Sequence, residues 1–121
     1  MKPYTDQAEL LKALAHPVRL HIVEILAQGE ACVCHLVAIL KQRQPYISQH
    51  LMILREAGWV QDRREGTVVY YRLADPRATE IVALACAVLR ARGIPASAPP
   101  VPKSPVDGCP CPKCTGGDTC P

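Results

Sequence analysis

Apolar positions in the first third of the chain repeat with helical periodicity. Residues 5–15 place Leu10, Leu11 and Leu14 on one face after an acidic start, which predicts a first helix. Pro17 suits the first turn of a second helix, where a missing N–H has no effect, and Gly29 is typical of its end. The apolar stripe of the second helix has i, i+4, i+7, i+8 spacing: Val18, Ile22, Ile25 and Leu26.

Two further short helices follow, and a polar turn separates them. The third has one apolar face, made of Val33, Leu36, Val37 and Leu40. Residues 41–44 are polar, and Pro45 opens a fourth helix that ends at Gly58. Its inward positions are Ile47, Leu51 and Leu54. Two short helices joined by a polar turn predict a helix-turn-helix.

After Gly58 the apolar period changes from 3.6 to 2. Residues 59–64 and 67–73 alternate as strands do, and they flank Glu65 and Gly66, which predicts a β-hairpin. A hairpin directly after a helix-turn-helix is a wing. Asp75 and Pro76 start a last helix that runs to about Arg92. The predicted fold is mainly α with a β-hairpin wing (α+β), a winged helix-turn-helix.

The last helix has more apolar surface than one small core needs. One stripe consists of Ile81, Leu84, Ala85 and Val88, and a second, about 100° away, of Val82, Cys86 and Leu89. One stripe can pack on the body and the other on a second copy, so we expect a homodimer formed through the terminal helices. Residues 1–92 are predicted to be the DNA-binding and dimerisation domain, and residues 93–121 a flexible tail rich in Pro and Cys.

Composition restricts the environment and the chemistry. The chain has 121 residues, enough for one domain, and no apolar run reaches the ~18 residues of a membrane span. Its N-terminus lacks an apolar signal core, so we expect a cytoplasmic protein without a membrane role. Neither a phosphate loop, a carboxylate pair nor a nucleophile–base arrangement is evident, which argues against an enzyme.

The net charge of +3 is concentrated in the middle third, as binding to DNA requires. Residues 41–77 carry seven Lys and Arg against four acidic residues. Gln pairs with adenine through two hydrogen bonds, Ser binds base edges or phosphate, and a helix N-terminus attracts phosphate. The candidate DNA-binding residues are Gln44, Tyr46, Ser48, Gln49 and His50 on the fourth helix, and Arg63 and Arg64 near the hairpin tip. The alternative for each is an ordinary surface polar residue.

Three segments then resemble one family. Residues 13–20, Ala-Leu-Ala-His-Pro-Val-Arg-Leu, are similar to a signature of the ArsR/SmtB repressors. Residues 47–58 resemble the recognition helix of that family, and residues 64–73 resemble its wing. The resemblance covers roughly residues 8–92. It implies a dimeric winged-helix repressor that releases operator DNA when an inducer binds.

Cys32 and Cys34 are similar to the Cys-Val-Cys motif of the arsenite, cadmium and lead sensors of that family. Paired thiolates select soft ions, and a helix N-terminus favours the thiolate. With both sulfurs in the first turn of the third helix, they lie about 200° apart around its axis. We therefore expect ligand binding to bend or unwind this turn and so to move the recognition helix.

The motif is incomplete by comparison with the family. Val37 stands where arsenite sensors carry a third cysteine, no cysteine precedes Cys32, and residues 75–92 contain no His for the second family zinc site. The tail offers the missing thiols: Cys109, Cys111 and Cys114, with Cys120 beyond them. One tail thiol would complete an arsenite site, and two would complete a Cd(II) or Pb(II) site. The tail could instead hold its own zinc ion or scavenge metal.

The chain has seven cysteines, an odd number that argues against a disulfide framework in a reducing compartment. The leading hypothesis is a repressor of a metal(loid)-resistance operon, with arsenite as the first inducer and Cd(II) or Pb(II) second. The alternatives are a repressor that senses thiol oxidation or persulfide, and a protein that buffers or delivers metal. Cys86 lies in an apolar stripe, where a buried small hydrophobe is the simple interpretation and a ligand or redox role is the alternative.

Overall fold

The computed structural model describes residues 3–96, which form five helices and three short strands. The elements are α1 (Thr5–Lys12), α2 (Pro17–Ala27), β1 (Ala31–Cys32), α3 (Val33–Leu40), α4 (Gln44–Glu56), β2 (Val60–Glu65), β3 (Val68–Leu73) and α5 (Arg77–Ala91). The predicted helices and hairpin are all present, and their order is the one predicted. The first helix is shorter than expected, because it ends at Lys12 rather than at residue 15.

The core lies between α2, α3, α4 and the start of the wing. The interior positions predicted for α4, Ile47, Leu51 and Leu54, are all fully buried. Leu36 is the only fully buried residue of the predicted α3 face, since its other three members are half-buried and His35 is buried instead. Leu14 is buried as predicted, whereas Leu10 and Leu11 are exposed in the single chain.

The sheet contains a strand that periodicity did not predict. Its order is β1-β3-β2 with both pairs antiparallel, and β1 pairs Ala31 with Tyr71 and Cys32 with Tyr70. In the wing, Tyr70 in turn pairs with Arg63. Opposite residues of an antiparallel pair project from the same face of a sheet. Cys32, Tyr70 and Arg63 therefore form one row across the three strands.

The terminal helices leave apolar surface uncovered. No residue of α1 is buried, and α5 buries Ala78 and Val82. The exposed large apolar residues of these two helices are Leu10, Leu11, Leu84, Val88 and Leu89. The Trp59 indole N–H donates to the Leu10 carbonyl at 3.1 Å and so ties α1 to the start of the wing. Within residues 3–96, every helix is too short or too polar to cross a membrane.

Candidate DNA interface and cysteine site

The first two turns of α4 expose polar side chains beside a helix N-terminus. Arg43 caps the helix in extended conformation, Pro45 occupies the first turn, and Lys41 in the preceding turn has φ of 54°. Gln44 and Gln49 are exposed, Tyr46 is partly exposed and Ser48 is half-buried. Since α4 is anchored by its buried apolar face, these four side chains lie on the open side of the helix.

His50 does not share this exposure, although the sequence predicted it among the DNA-binding residues of this helix. It is 6% exposed, and its Nδ1 lies 3.0 Å from a terminal nitrogen of Arg19. Its ring lies 4.4 Å from the ring of His16 and packs edge-on against Tyr46 at 4.6 Å. Helical position alone places His50 at the edge of the apolar stripe. The packing of α2 against α4 buries this edge.

The two wing arginines have different surroundings. Arg64 is exposed, opposite Val69 and close to the turn at Gly66. Arg63 is held by carboxylates: Glu30 accepts two hydrogen bonds, at 2.7 and 2.6 Å, and Glu65 accepts another. These bonds raise the pKa of the Arg63 guanidinium, which also lies 4.7 Å from the ring centroid of Tyr70. Arg63 is thus bound to its own protein in this structure, which its sequence position near the hairpin tip did not reveal.

Cys32 is not in the first turn of α3 as predicted. It is the extended N-cap residue, its Sγ accepts a hydrogen bond from the His35 N–H at 3.3 Å, and it is 3% exposed. Cys34 is half-buried inside the first turn and packs on the cluster that Cys32 forms with Tyr70. Because Cys32 is not helical, the 200° separation inferred from helix geometry does not apply.

The described residues do not form a metal site by themselves. Cys32 and Cys34 are two thiol donors in one neighbourhood, but residues 3–96 contain no group of three or more His, Cys, Asp or Glu that could hold a metal ion. Cys109, Cys111, Cys114 and Cys120 lie outside the described residues. Cys86 is half-buried on α5, in keeping with a small apolar role.

Sequence reasoning missed two charged residues that contact residues of this surface. Glu30 precedes β1 and reaches the wing, and the short strand gave no periodic signal for that contact. Arg19 bridges α2 and α4. A signal for Arg19 was available, since it is a cation one turn into an otherwise largely apolar helix.

Comparison with known proteins agrees with this geometry. The family described as bacterial regulatory protein, arsR family, matches residues 16–62. An uncharacterized HTH-type transcriptional regulator of Methanocaldococcus jannaschii, MJ1325, is 46% identical over 85 residues, covering 69% of this chain and 96% of that protein. The arsenical resistance operon repressor of Escherichia coli K12 is 51% identical over 67 residues, covering 54% of this chain and 57% of that protein.

A solved structure shares the fold as well. The homodimeric winged helix-turn-helix DNA-binding domain of Mb0332 from Mycobacterium bovis, a possible ArsR-family regulator, superposes with a TM-score of 0.65 and 32% identity. The match covers 76% of this chain and 90% of that domain. The family resemblance and the fold expected from the sequence are both confirmed. The chain belongs to the arsR family of bacterial regulatory proteins, and it is a winged helix-turn-helix DNA-binding transcriptional regulator rather than an enzyme.

Proposed function

We propose that this protein is a cytoplasmic repressor that binds operator DNA as a homodimer and releases it when a thiophilic metal(loid) binds Cys32 and Cys34. Arsenite is the first candidate, and Cd(II) or Pb(II) the second. The observation that carries the proposal is the position of the two thiols. They lie at the junction of β1 and α3, where one residue pairs with the wing and the other belongs to the helix that precedes α4.

The chemistry of the two thiols favours a soft ion. Both sit at the N-terminal end of α3. Thiolates select soft and borderline ions over hard ones. The E. coli relative is named for arsenical resistance, which supports arsenite as the first ion to test. In this proposal, one or two of Cys109, Cys111 and Cys114 complete the site, from the same or the partner subunit.

Two routes lead from the thiols to the DNA surface. Coordination that turns the Cys32 Sγ toward Cys34 would break its hydrogen bond with the His35 N–H and disturb the cap of α3. Since α3 and α4 pack together, this disturbance reaches the recognition helix. The row from Cys32 through Tyr70 to Arg63 leads in parallel to the wing. A coupling of ~1–3 kcal/mol, about 5–150-fold in DNA affinity, is typical of allosteric proteins.

The dimer is proposed from the open apolar faces of α1 and α5. Exposed leucines on both helices would be covered by a second copy, and the Mb0332 domain is described as homodimeric. A two-fold dimer places two recognition helices about one turn of DNA apart, which is how helix-turn-helix dimers read two half-sites. Gln44, Tyr46, Ser48 and Gln49 of α4 and Arg64 of the wing are the proposed contacts.

The test is fluorescence anisotropy of labelled DNA from the protein's own promoter under reducing conditions, titrated with arsenite, Cd(II), Pb(II) and Zn(II). We expect one soft ion to dissociate the full chain from the DNA. Cys32→Ser and Cys34→Ser should each abolish this dissociation. Cys86→Ser, a half-buried thiol on α5, is the matched control and should respond as the unaltered chain does. A chain ending at Arg92 should lose release if the tail completes the site.

Other outcomes would point to the alternatives. Release by oxidant or persulfide, with no response to any ion, would replace metal sensing by thiol redox sensing. Tight metal binding without operator binding would favour a metal-buffering or delivery protein. Release by Zn(II) alone, unaffected by either cysteine substitution, would contradict the proposed site.

A further inference from the structure

A cluster of two imidazoles and a guanidinium lies between the recognition helix and α2, at the buried edge of the recognition helix. His50 of α4, His16 at the N-cap of α2 and Arg19 in the first turn of α2 form this cluster, which we name the backing cluster. His50 is almost fully buried within it. The cluster is therefore the polar part of an otherwise apolar contact between α2 and α4.

The hydrogen bonds of the cluster determine which protons it carries. A guanidinium has donors only, so the His50 Nδ1 at 3.0 Å from Arg19 must accept, and the imidazole is neutral with its proton on Nε2. His16 is used in the same way, because its Nδ1 accepts from the Val18 backbone N–H at 3.1 Å. Burial, His16 and Arg19 all lower the pKa of His50, which agrees with a neutral ring. Arg19 is the cationic donor to His50, and the His16 ring accepts from the backbone.

Arg19 also reaches the first helix. Its second terminal nitrogen lies 3.4 Å from the backbone carbonyl of Lys12, the last residue of α1. One guanidinium thus touches the end of α1 and a side chain of α4 while it belongs to α2. Since α1 buries no residue of its own, the contacts made by Arg19 and Trp59 help to set its place.

The exposed face of α4 depends on this cluster through Tyr46. The Tyr46 ring packs edge-on against His50, one helical turn later, and is partly exposed among the polar residues of the helix. A shift of His50 would move Tyr46 and, through the backbone, the neighbouring Gln49. Recognition of base edges requires side chains held within fractions of an ångström and tens of degrees.

We propose that Arg19 and His50 are positioning residues for operator binding: together they fix the orientation of α4 relative to α2 and α1 and do not contact DNA. The proposal rests on operator binding alone and does not require the metal response. It assigns His50 a role behind the recognition helix in place of the base contact expected from its sequence position.

The test compares variants of both residues in the full chain. His50→Asn keeps an acceptor near the position of Nδ1, whereas His50→Leu removes it. Arg19→Gln removes the cation, and Arg19→Lys keeps it without the two-pronged geometry, as a milder variant in case the first fails to fold. Arg90→Gln is the charge-matched control, because Arg90 also donates to a backbone carbonyl but lies at the end of α5. Operator and scrambled DNA are titrated at several salt concentrations, at a temperature where thermal melts show each variant folded.

We expect Arg19→Gln and His50→Leu to weaken operator binding about tenfold, as loss of a hydrogen bond to a charged group would. Arg19→Lys should show a smaller loss, and His50→Asn should recover most of the affinity. Binding to scrambled DNA and the salt dependence of binding should stay unchanged, and Arg90→Gln should match the unaltered chain.

Three results would overturn the proposal. A salt slope that falls by about one for Arg19→Gln would mean that Arg19 contacts a phosphate. Unchanged operator affinity in the folded variants would leave the cluster a purely structural role. Equal losses for His50→Asn and His50→Leu would mean that the acceptor at Nδ1 is not what positions the helix. Loss of DNA binding by the unaltered chain would instead defeat the proposed function itself.

Discussion

The recognition helix and the wing form the two parts of the expected DNA surface. Their polar side chains differ in the contacts that they make within the protein. Gln44, Tyr46 and Gln49 of α4 are exposed and make no ion pair within residues 3–96, whereas Arg63 in the wing is engaged by Glu30 and Glu65. Both regions were identified by residue type and spacing. Helical periodicity therefore predicts exposure except at the edge of the apolar stripe, as at His50, while a strand residue is available only if its neighbours across the sheet leave it so.

The largest expected difference between the two regions concerns sequence discrimination. Gln49→Ala should reduce the ratio of operator to scrambled-DNA affinity by about tenfold or more, since one base contact provides ~1–3 kcal/mol of discrimination. Anisotropy titrations with both DNAs measure this ratio. Gln28→Ala, an exposed glutamine at the C-cap of α2, is the control. An equal loss of affinity for both DNAs would move Gln49 from base recognition to phosphate contact.

The salt dependence of binding should separate the two wing arginines. Arg64→Gln removes an exposed cation and should lower the slope of log affinity against log salt by about one. Arg63→Gln should change the slope little, because its guanidinium is already paired within the protein. Titrations of operator DNA at several salt concentrations provide the slopes.

Equal effects of the two substitutions would contradict this difference and would mean that Arg63 exchanges Glu30 for phosphate on DNA. The Glu30→Gln variant tests directly whether the pair with Glu30 keeps Arg63 from DNA. It should strengthen DNA binding only about two- to threefold, because exposed ion pairs contribute little. Asp75→Asn removes the same charge from another arginine–carboxylate pair and serves as the matched control.

A fall in pH should act on the recognition helix more than on the wing, because His50 of that helix becomes protonated. Because the pKa of His50 is lowered in the fold, its contribution to stability is fully present above the unfolded pKa of about 6.5. It is lost as pH falls through the folded value, when protonation sets His50 against Arg19 and His16. The free energy of unfolding and the operator affinity should therefore both decrease between pH 7 and 5.

Denaturant unfolding and anisotropy over this pH range measure the two effects. Replacing His50 by Asn should remove its share of the dependence, whereas His21→Asn, on the same helix as Arg19, should leave that share in place. A pH dependence that survives unaltered in His50→Asn would assign the titration to other groups.

Much of this fold was predictable because its elements are short, amphipathic and marked at their ends. Pro17, Pro45 and Gly58 mark helix boundaries, and the stripe of Ile47, Leu51 and Leu54 correctly predicted the buried face of α4. Strand β1 could not be predicted, because two residues carry no period. It is a strand only because it pairs with the edge of β3.

The candidate site was predictable as a set of residue types and less so as an arrangement. The Cys32 and Cys34 pair, the polar positions of α4 and the basic wing all follow from spacing and chemistry. The burial of His50, the ion pairs of Arg63 and the capping role of Cys32 do not. The burial of His50 and the Arg63–Glu30 pair depend on contacts between segments far apart in sequence, whereas the Cys32 cap is a local contact with the His35 N–H that helical periodicity does not reveal.

By itself, the sequence determined the order of the elements, the family and which residues carry the chemistry, because local periodicity and turn residues act over a few positions. Only the tertiary structure decided which polar residues are free to meet DNA. Arg63 and Glu30 are 33 residues apart, and Arg19 and His50 are 31 residues apart. Such pairs form because polar and charged groups need hydrogen-bond or ionic partners when packing removes them from water. Local sequence patterns do not show which distant segments will pack together.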